Sequence, residues 1–178
     1  MTELTQRLAT EDDLPALHHL MDRAIAELQS GFLTPEQVVA SALTMGLDSQ
    51  LVRDRTYIIV ETDGVLAGCG GWSFRSTLYG GDNSVVARAP EILDPAKDAA
   101  RIRAMYTDPA FVRQGIGRRV LTACEAAARD HGFGRAEMMA TLAGEPLYRA
   151  CGYLPIEYVE TQPTPGVIVP LIRMGKAL

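Results

Sequence analysis

The stretch Phe111-Val112-Arg113-Gln114-Gly115-Ile116-Gly117-Arg118-Arg119 constrains this chain more than any other. Before it, residues 101–107 alternate as a strand does, with Ile102, Ala104 and Tyr106 on one face and Arg101, Arg103, Met105 and Thr107 on the other. Asp108-Pro109 ends that strand. After it, Ile116, Val120, Leu121, Cys124, Ala127 and Ala128 recur on one helical face, so a helix is expected over about 113–131, stopped by Gly132. Two glycines where a loop enters a helix let backbone approach a ligand closely. The unpaired N–H groups of the first turn and the helix dipole then favour an anion. Arg113, Arg118 and Arg119 add positive charge, so a phosphate or pyrophosphate is the expected guest, with plain close packing of the two glycines as the alternative. The ATP-type loop fails for lack of a Gly-Lys-Ser/Thr ending, and the dinucleotide fingerprint fails because Val120 stands where its third glycine belongs.

This local site matters because the chain as a whole repels polyanions. It has 17 Lys+Arg against 22 Asp+Glu, a formal net charge of -5, so neither nucleic acid nor an anionic membrane is an expected partner. A length of 178 residues with 47% hydrophobic and 22% charged residues suits one globular domain, 1–178. Cys69, Cys124 and Cys151 are odd in number and lack paired spacing, which points to a reducing cytoplasm. No signal-peptide pattern opens the sequence, and no apolar run reaches the roughly 20 residues of a membrane span.

The remaining elements follow in order. A strand is expected near residues 4–8, then a helix whose start is marked by Thr10, Glu11, Asp12 and Asp13 and whose stripe is Leu14, Leu17, Met21, Ala24 and Leu28. Thr34-Pro35-Glu36-Gln37 is a capping box opening a second helix. Residues 56–61 and 65–74, joined by Asp63-Gly64, form a β-hairpin. Residues 75–99, with Gly80-Gly81-Asp82-Asn83 and two prolines, are expected to be a flap inserted between the third and fourth strands, a solvated loop being the alternative. Residues 137–142 read as a strand, 146–150 as a short helix stopped by Gly152, and 167–174 as a last strand interrupted by Pro170.

The run 101–109 followed by Val112-Arg113-Gln114-Gly115-Ile116-Gly117 resembles the strand and pyrophosphate loop of the GNAT acyltransferase superfamily, with Val112 departing from the usual Gln or Arg. Pro146-Leu147-Tyr148-Arg149-Ala150-Cys151-Gly152-Tyr153 is similar to that family's tyrosine helix. The resemblance implies an α/β fold of the mixed α+β kind, a central twisted and mostly antiparallel sheet flanked by helices. It also implies an N-acetyltransferase that moves an acetyl group from acetyl-CoA to a primary amine, of a small molecule or a protein, by direct attack in a ternary complex. Met105, Tyr106 and Thr107 would offer strand backbone to the pantetheine arm. Arg113, Gln114, Gly115, Ile116, Gly117 and Arg118 would cradle the pyrophosphate, with Arg113, Arg118 or Arg119 near the 3′-phosphate.

Acyl transfer to an amine needs a neutral nucleophile, stabilisation of developing oxyanion charge and a proton for the departing thiolate. The resemblance makes Tyr148 the candidate acid, packing beside Leu147 being the alternative. No motif surrounds a base; Glu61, Asp82 and Glu137 are the carboxylates considered, each also suited to a solvated surface role. No metal is expected, because His18, His19 and His131 lack partners at ligand spacing. Trp72 suits either the acceptor pocket or the core. A non-catalytic acyl-CoA-binding sensor is the alternative function, the acidic total mildly suits a cationic acceptor, and a homodimer through the apolar C-terminal strand is plausible.

Overall fold

The computed structural model describes residues 3–178 and places them in one seven-stranded sheet with helices on both faces. The strands are β1 (Leu4–Leu8), β2 (Tyr57–Thr62), β3 (Val65–Ser73), β4 (Ala100–Thr107), β5 (Arg135–Thr141), β6 (Leu154–Thr164) and β7 (Val167–Ala177). Their spatial order is β1-β2-β3-β4-β5-β7-β6. Every pairing is antiparallel except β4 with β5, which are parallel and register over two pairs only, Ala100 with Ala136 and Arg101 with Glu137.

Two layers cover the sheet. On one face lies α4 (Ile116–Asp130), whose Ile116, Val120, Leu121, Cys124 and Ala128 are buried against Val60, Ala67, Ile102 and Met138. On the other lie α1 (Leu14–Leu28), α2 (Pro35–Ser41) and α3 (Ser49–Arg53). The stripe Leu17, Leu20, Met21, Ala24 and Ile25 of α1 follows the 3.6-residue period and packs in part with Tyr57, Ile59 and Cys69. The Thr34 capping box forms as its sequence requires, Thr34 accepting from the Gln37 N–H while the Gln37 side chain accepts from the Thr34 N–H. A short α5 (Glu145–Ala150) follows β5.

Several expectations are corrected. The strict alternation along β4 breaks at Ala104, a non-glycine residue in the left-handed region at φ 48°. Between Cys69–Gly71 on β3 and Arg103–Tyr106 on β4 the register slips by one residue, so β4 carries a bulge. As a result Ile102 and Met105 pack on the α4 side, while Ala104 and Tyr106 turn to the layer of α1. The helix expected from residue 113 begins at Ile116, because Arg113 and Gly115 both have positive φ. Pro170 does not interrupt β7, where it pairs with Glu160 of β6, a strand not anticipated. The C-terminal strand β7 is an interior strand, enclosed between β5 and β6.

The connection 75–99 has little regular structure beyond a bridge between Arg75 and Ile92. It is held down at a buried ion pair. Arg103 of β4 donates to Asp48 Oδ2 at 2.9 Å and to the carbonyls of Thr77 at 3.1 Å and Gly80 at 2.7 Å, and both side chains are almost wholly buried. Burial lowers the Arg103 guanidinium below its ordinary value, and Asp48 opposes that shift. Arg103→Met is expected to cost about 3–5 kcal/mol in urea unfolding, because it strips a buried carboxylate of one partner. Asp48 Oδ1 also accepts from Arg88 at 2.8 Å, and a loss below about 1 kcal/mol would show that Arg88 alone satisfies Asp48.

Candidate active site

Beyond Arg101 and Glu137, β4 stays with β3 as far as Thr107, and β5 stays with β7 as far as Thr141. The two strands therefore diverge, and a crevice opens between their facing edges. Ile102, Met105, Met138 and Tyr148 line it on the α4 side; Arg103, Met139 and Leu171 line it with Thr44, Met45 and Gly46 on the other. The enclosed part of the crevice measures about 80 Å³, and the rest of it is open to solvent. Its lining is thus drawn from both faces of the sheet.

The bulge that shapes its wall is locked from a distance. The Tyr57 hydroxyl, on a fully buried ring, donates to the Ala104 carbonyl at 2.7 Å. The Tyr106 hydroxyl accepts from the Gly46 N–H at 2.8 Å and so ties the loop after α2 to the same strand. On β3, Gly68 and Gly70 leave room that a Cβ would take from Ile116, Met105 and Val120, which lets α4 begin directly against the splayed strands. Tyr57, Ala104, Gly68, Gly70 and Gly46 are residues of the site that sequence reasoning passed over; glycines inside a strand were the one available signal.

The loop and helix start stand at the crevice end of β4. Gly115 is the N-cap at φ 81°, and no side chain caps the helix. The first intrahelical bond runs from the Arg119 N–H to the Gly115 carbonyl, so the amides of Ile116, Gly117 and Arg118 have no helical partner. Gly117 lies against Leu147 of α5, where a Cβ would meet the Leu147 side chain at 2.8 Å. Met105, Tyr106 and Tyr148 line the crevice, and the helix start adjoins β4 at Thr107, whose Oγ1 lies 3.6 Å from the place of a Gly117 Cβ. Arg113, Gln114 and Arg118 are exposed. Gly115, Arg118 and Arg119 line a separate groove with Leu4 and Gln6 of β1, the strand at the other edge of the sheet.

Tyr148 is buried with its ring over Gly144, where a Cβ would touch the ring at 2.8 Å. Its hydroxyl has no hydrogen-bond partner among the described residues. Burial raises the phenol well above its ordinary pKa, with small contributions from Tyr106, Cys124 and Cys151, so it stays protonated at neutral pH. None of the carboxylates considered as a base lines the crevice. Glu137 is held by Arg101 at 2.9 Å and Arg173 at 2.6 Å, Asp82 by Arg88 at 2.9 Å, and Glu61 by Arg7 at 3.2 Å. Trp72 lies in the core against Phe74, His131 and Phe133. Among the described residues no three His, Cys, Asp or Glu side chains form a metal-binding group, and no helix is long and apolar enough to cross a membrane.

The sequence pattern of the acetyltransferase (GNAT) family matches residues 18–153, which include the glycine turn, the tyrosine helix and the crevice lining other than Leu171. The chain belongs to this family. A GCN5-related N-acetyltransferase of Rhodopseudomonas palustris shares the fold at TM-score 0.70 and 17% identity, over 98% of this chain and 95% of that one. PaiA N-acetyltransferase of Thermoplasma acidophilum, solved with coenzyme A, superposes at TM-score 0.64 with 14% identity over 99% of both chains. YncA of Salmonella typhimurium, solved with its cofactor acetyl-CoA, does so at 0.65 and 17%, over 99% of this chain and 94% of that one. No curated protein matches the sequence. In this acetyltransferase the uncapped helix start depends on Gly115 keeping its positive φ. Gly115→Ala meets no neighbour within 4 Å, so its expected cost of about 1–2 kcal/mol in thermal or urea unfolding is purely conformational. An unchanged stability would mean that the turn relaxes without loss.

Proposed function

We propose that the protein transfers an acetyl group from acetyl-CoA to a primary amine by direct attack, with both substrates meeting in the crevice between β4 and β5. The observation that carries this reading is the junction of an open strand edge at Met105–Thr107, an uncapped helix start at 115–118, and a protonated, unpartnered tyrosine hydroxyl. Family membership supports it, as do the two related folds solved with coenzyme A or acetyl-CoA.

The residues fit such a substrate. Free amides of Ile116, Gly117 and Arg118 suit a pyrophosphate, helped by the helix dipole, so Val112 in place of Gln or Arg costs little. The unpaired edge of β4 suits an amide-bearing arm, which adds to it as a further strand does. Acetyl-CoA bound there supplies an activated acyl group and a good leaving thiol. Tyr148 donates its hydrogen bond to the sulfur as negative charge builds on it. With the phenol raised by burial, full proton transfer to a thiolate is uphill, so the nitrogen's own proton completes the thiol. The N–C bond forms, the C–S bond breaks, and one proton passes from nitrogen to sulfur.

Since no Asp, Glu or His lines the crevice, the amine arrives neutral or loses its proton to water. The three free thiols, Cys69 and Cys124 among them buried, accord with a reducing cytoplasm.

Acetyl-CoA at about 100 times its Kd is expected to stabilise the protein by about 2.7 kcal/mol in a thermal melt, with no effect of NAD or ATP. No shift with any acyl-CoA would remove the reading. Tyr148→Phe is expected to lower kcat by about 10²-fold while the Kd for acetyl-CoA stays unchanged. A parallel loss of acetyl-CoA affinity would make Tyr148 a packing residue. With no base in the crevice, kcat/KM should rise tenfold per pH unit up to the pKa of the amine itself. The breakpoint should move when an amine of lower pKa is used; a breakpoint fixed near neutrality for both amines would reveal a protein base.

A further inference from the structure

The face of the crevice away from α4, where the amine enters under the reading above, sets methionines and the flap residues Leu78 and Tyr79 beside Thr44 and the backbone of Gly46 and Gly80, with a single charged side chain. Met45, Leu78, Tyr79, Met139 and Leu171 line it, and with Met105 and Met138 on the other side four of the chain's seven methionines meet in this one cavity. The one charged residue among the lining, Arg103, has its charge matched within the protein by Asp48 and its donors directed at two carbonyls. The other Asp48 oxygen accepts from Arg88 at 2.8 Å and from the Gln50 N–H at 3.0 Å. Asp82 accepts from Arg88 and the Ser49 N–H, and Glu137 from Arg101 and Arg173. Every carboxylate bordering this end is already engaged.

A frame of polar contacts fixes the mouth around that soft lining. Tyr106 holds Gly46, and Gln29, 4% exposed at the end of α1, donates from Nε2 to the Met45 sulfur at 3.3 Å. Above, segment 75–99 is joined to the loop after α2 by backbone bonds, from the Asp82 N–H to the Leu47 carbonyl at 2.8 Å and from the Val85 N–H to the Leu43 carbonyl at 3.0 Å. The lining itself is adaptable, since thioethers fill irregular shapes at little cost.

We propose, resting on the acetyl-transfer reading, that the acceptor is a small primary amine carrying an apolar arm, aliphatic or aromatic, and no second positive charge. A second ammonium drawn into this end would lose water and find no carboxylate free to replace it. An apolar arm loses nothing there and gains contact with Met45, Met139, Leu78 and Leu171. The deformable lining predicts tolerance of arm shape together with rejection of charge.

The test is acetyl-CoA-dependent thiol release by the full chain with hexylamine, 2-phenylethylamine, spermidine and a lysine-containing peptide. Hexylamine and 2-phenylethylamine are expected to agree within about tenfold in kcat/KM and to exceed spermidine and the peptide by at least about tenfold. Met139→Asp is expected to invert the order in favour of spermidine with the acetyl-CoA Kd unchanged, and Met45→Asp serves if that variant does not fold. Spermidine or the peptide equal to or better than the apolar amines would overturn the inference. So would no turnover of either apolar amine by a protein that acetyl-CoA stabilises. Absence of that stabilisation would instead overturn the reading beneath it.

Discussion

The separation of two parallel strands after two residue pairs is the constraint on which the rest of this structure depends. A parallel pair deep in a sheet normally continues, because each further residue satisfies backbone groups that burial would otherwise leave costly. Here β4 bulges at Ala104, and the Tyr57 hydroxyl satisfies the carbonyl that the bulge turns out of line. Once the strands part, both facing edges carry backbone donors and acceptors without a partner strand, and the uncapped start of α4 faces the same opening. The groups that the splay leaves free are therefore backbone groups, which do not depend on side-chain identity, and structural relatives 12% to 19% identical share the fold.

The two ends of the crevice are built on opposite principles. At the helix end, hydrogen-bonding groups are left free and the field is positive. At the other end, the Arg103 charge is matched within the protein, and thioether, phenol and alkyl groups are joined by Thr44, Thr141 and glycine backbone. The Arg103–Asp48–Arg88 arrangement both anchors segment 75–99 and removes charge from the cavity. The formal charge of -5 consequently says little about the acceptor. The carboxylates near the mouth serve arginines.

The parts legible in the sequence were those written locally. The glycine turn, the Thr34 capping box, the Asp63-Gly64 hairpin and the short helix bearing Tyr148 each depend on neighbours within a few residues, and each lies where its pattern placed it. What escaped was set by distant partners. The alternation of residues 101–107 was real as far as Arg103, then failed because a tyrosine 47 positions earlier holds the bulge. The role of Asp48 needs Arg103, 55 positions away, and the closing of the flap needs carbonyls at Leu43 and Leu47. The edge strand β6 was hidden by Pro155 and by exposure of its apolar side chains Leu154, Ile156 and Tyr158, which denied it the usual buried face.

Amide hydrogen exchange of the full chain with and without acetyl-CoA tests the central claim most directly, since that claim concerns backbone groups left free by a splayed sheet. Added acetyl-CoA should slow exchange at Met105–Thr107 and at Ile116–Arg118 while leaving β6 and the amides of Leu4 and Gln6 in β1 unchanged. Protection confined to the groove of Leu4, Gln6 and Arg119, with the amides of β4 and the helix start unaffected, would contradict it.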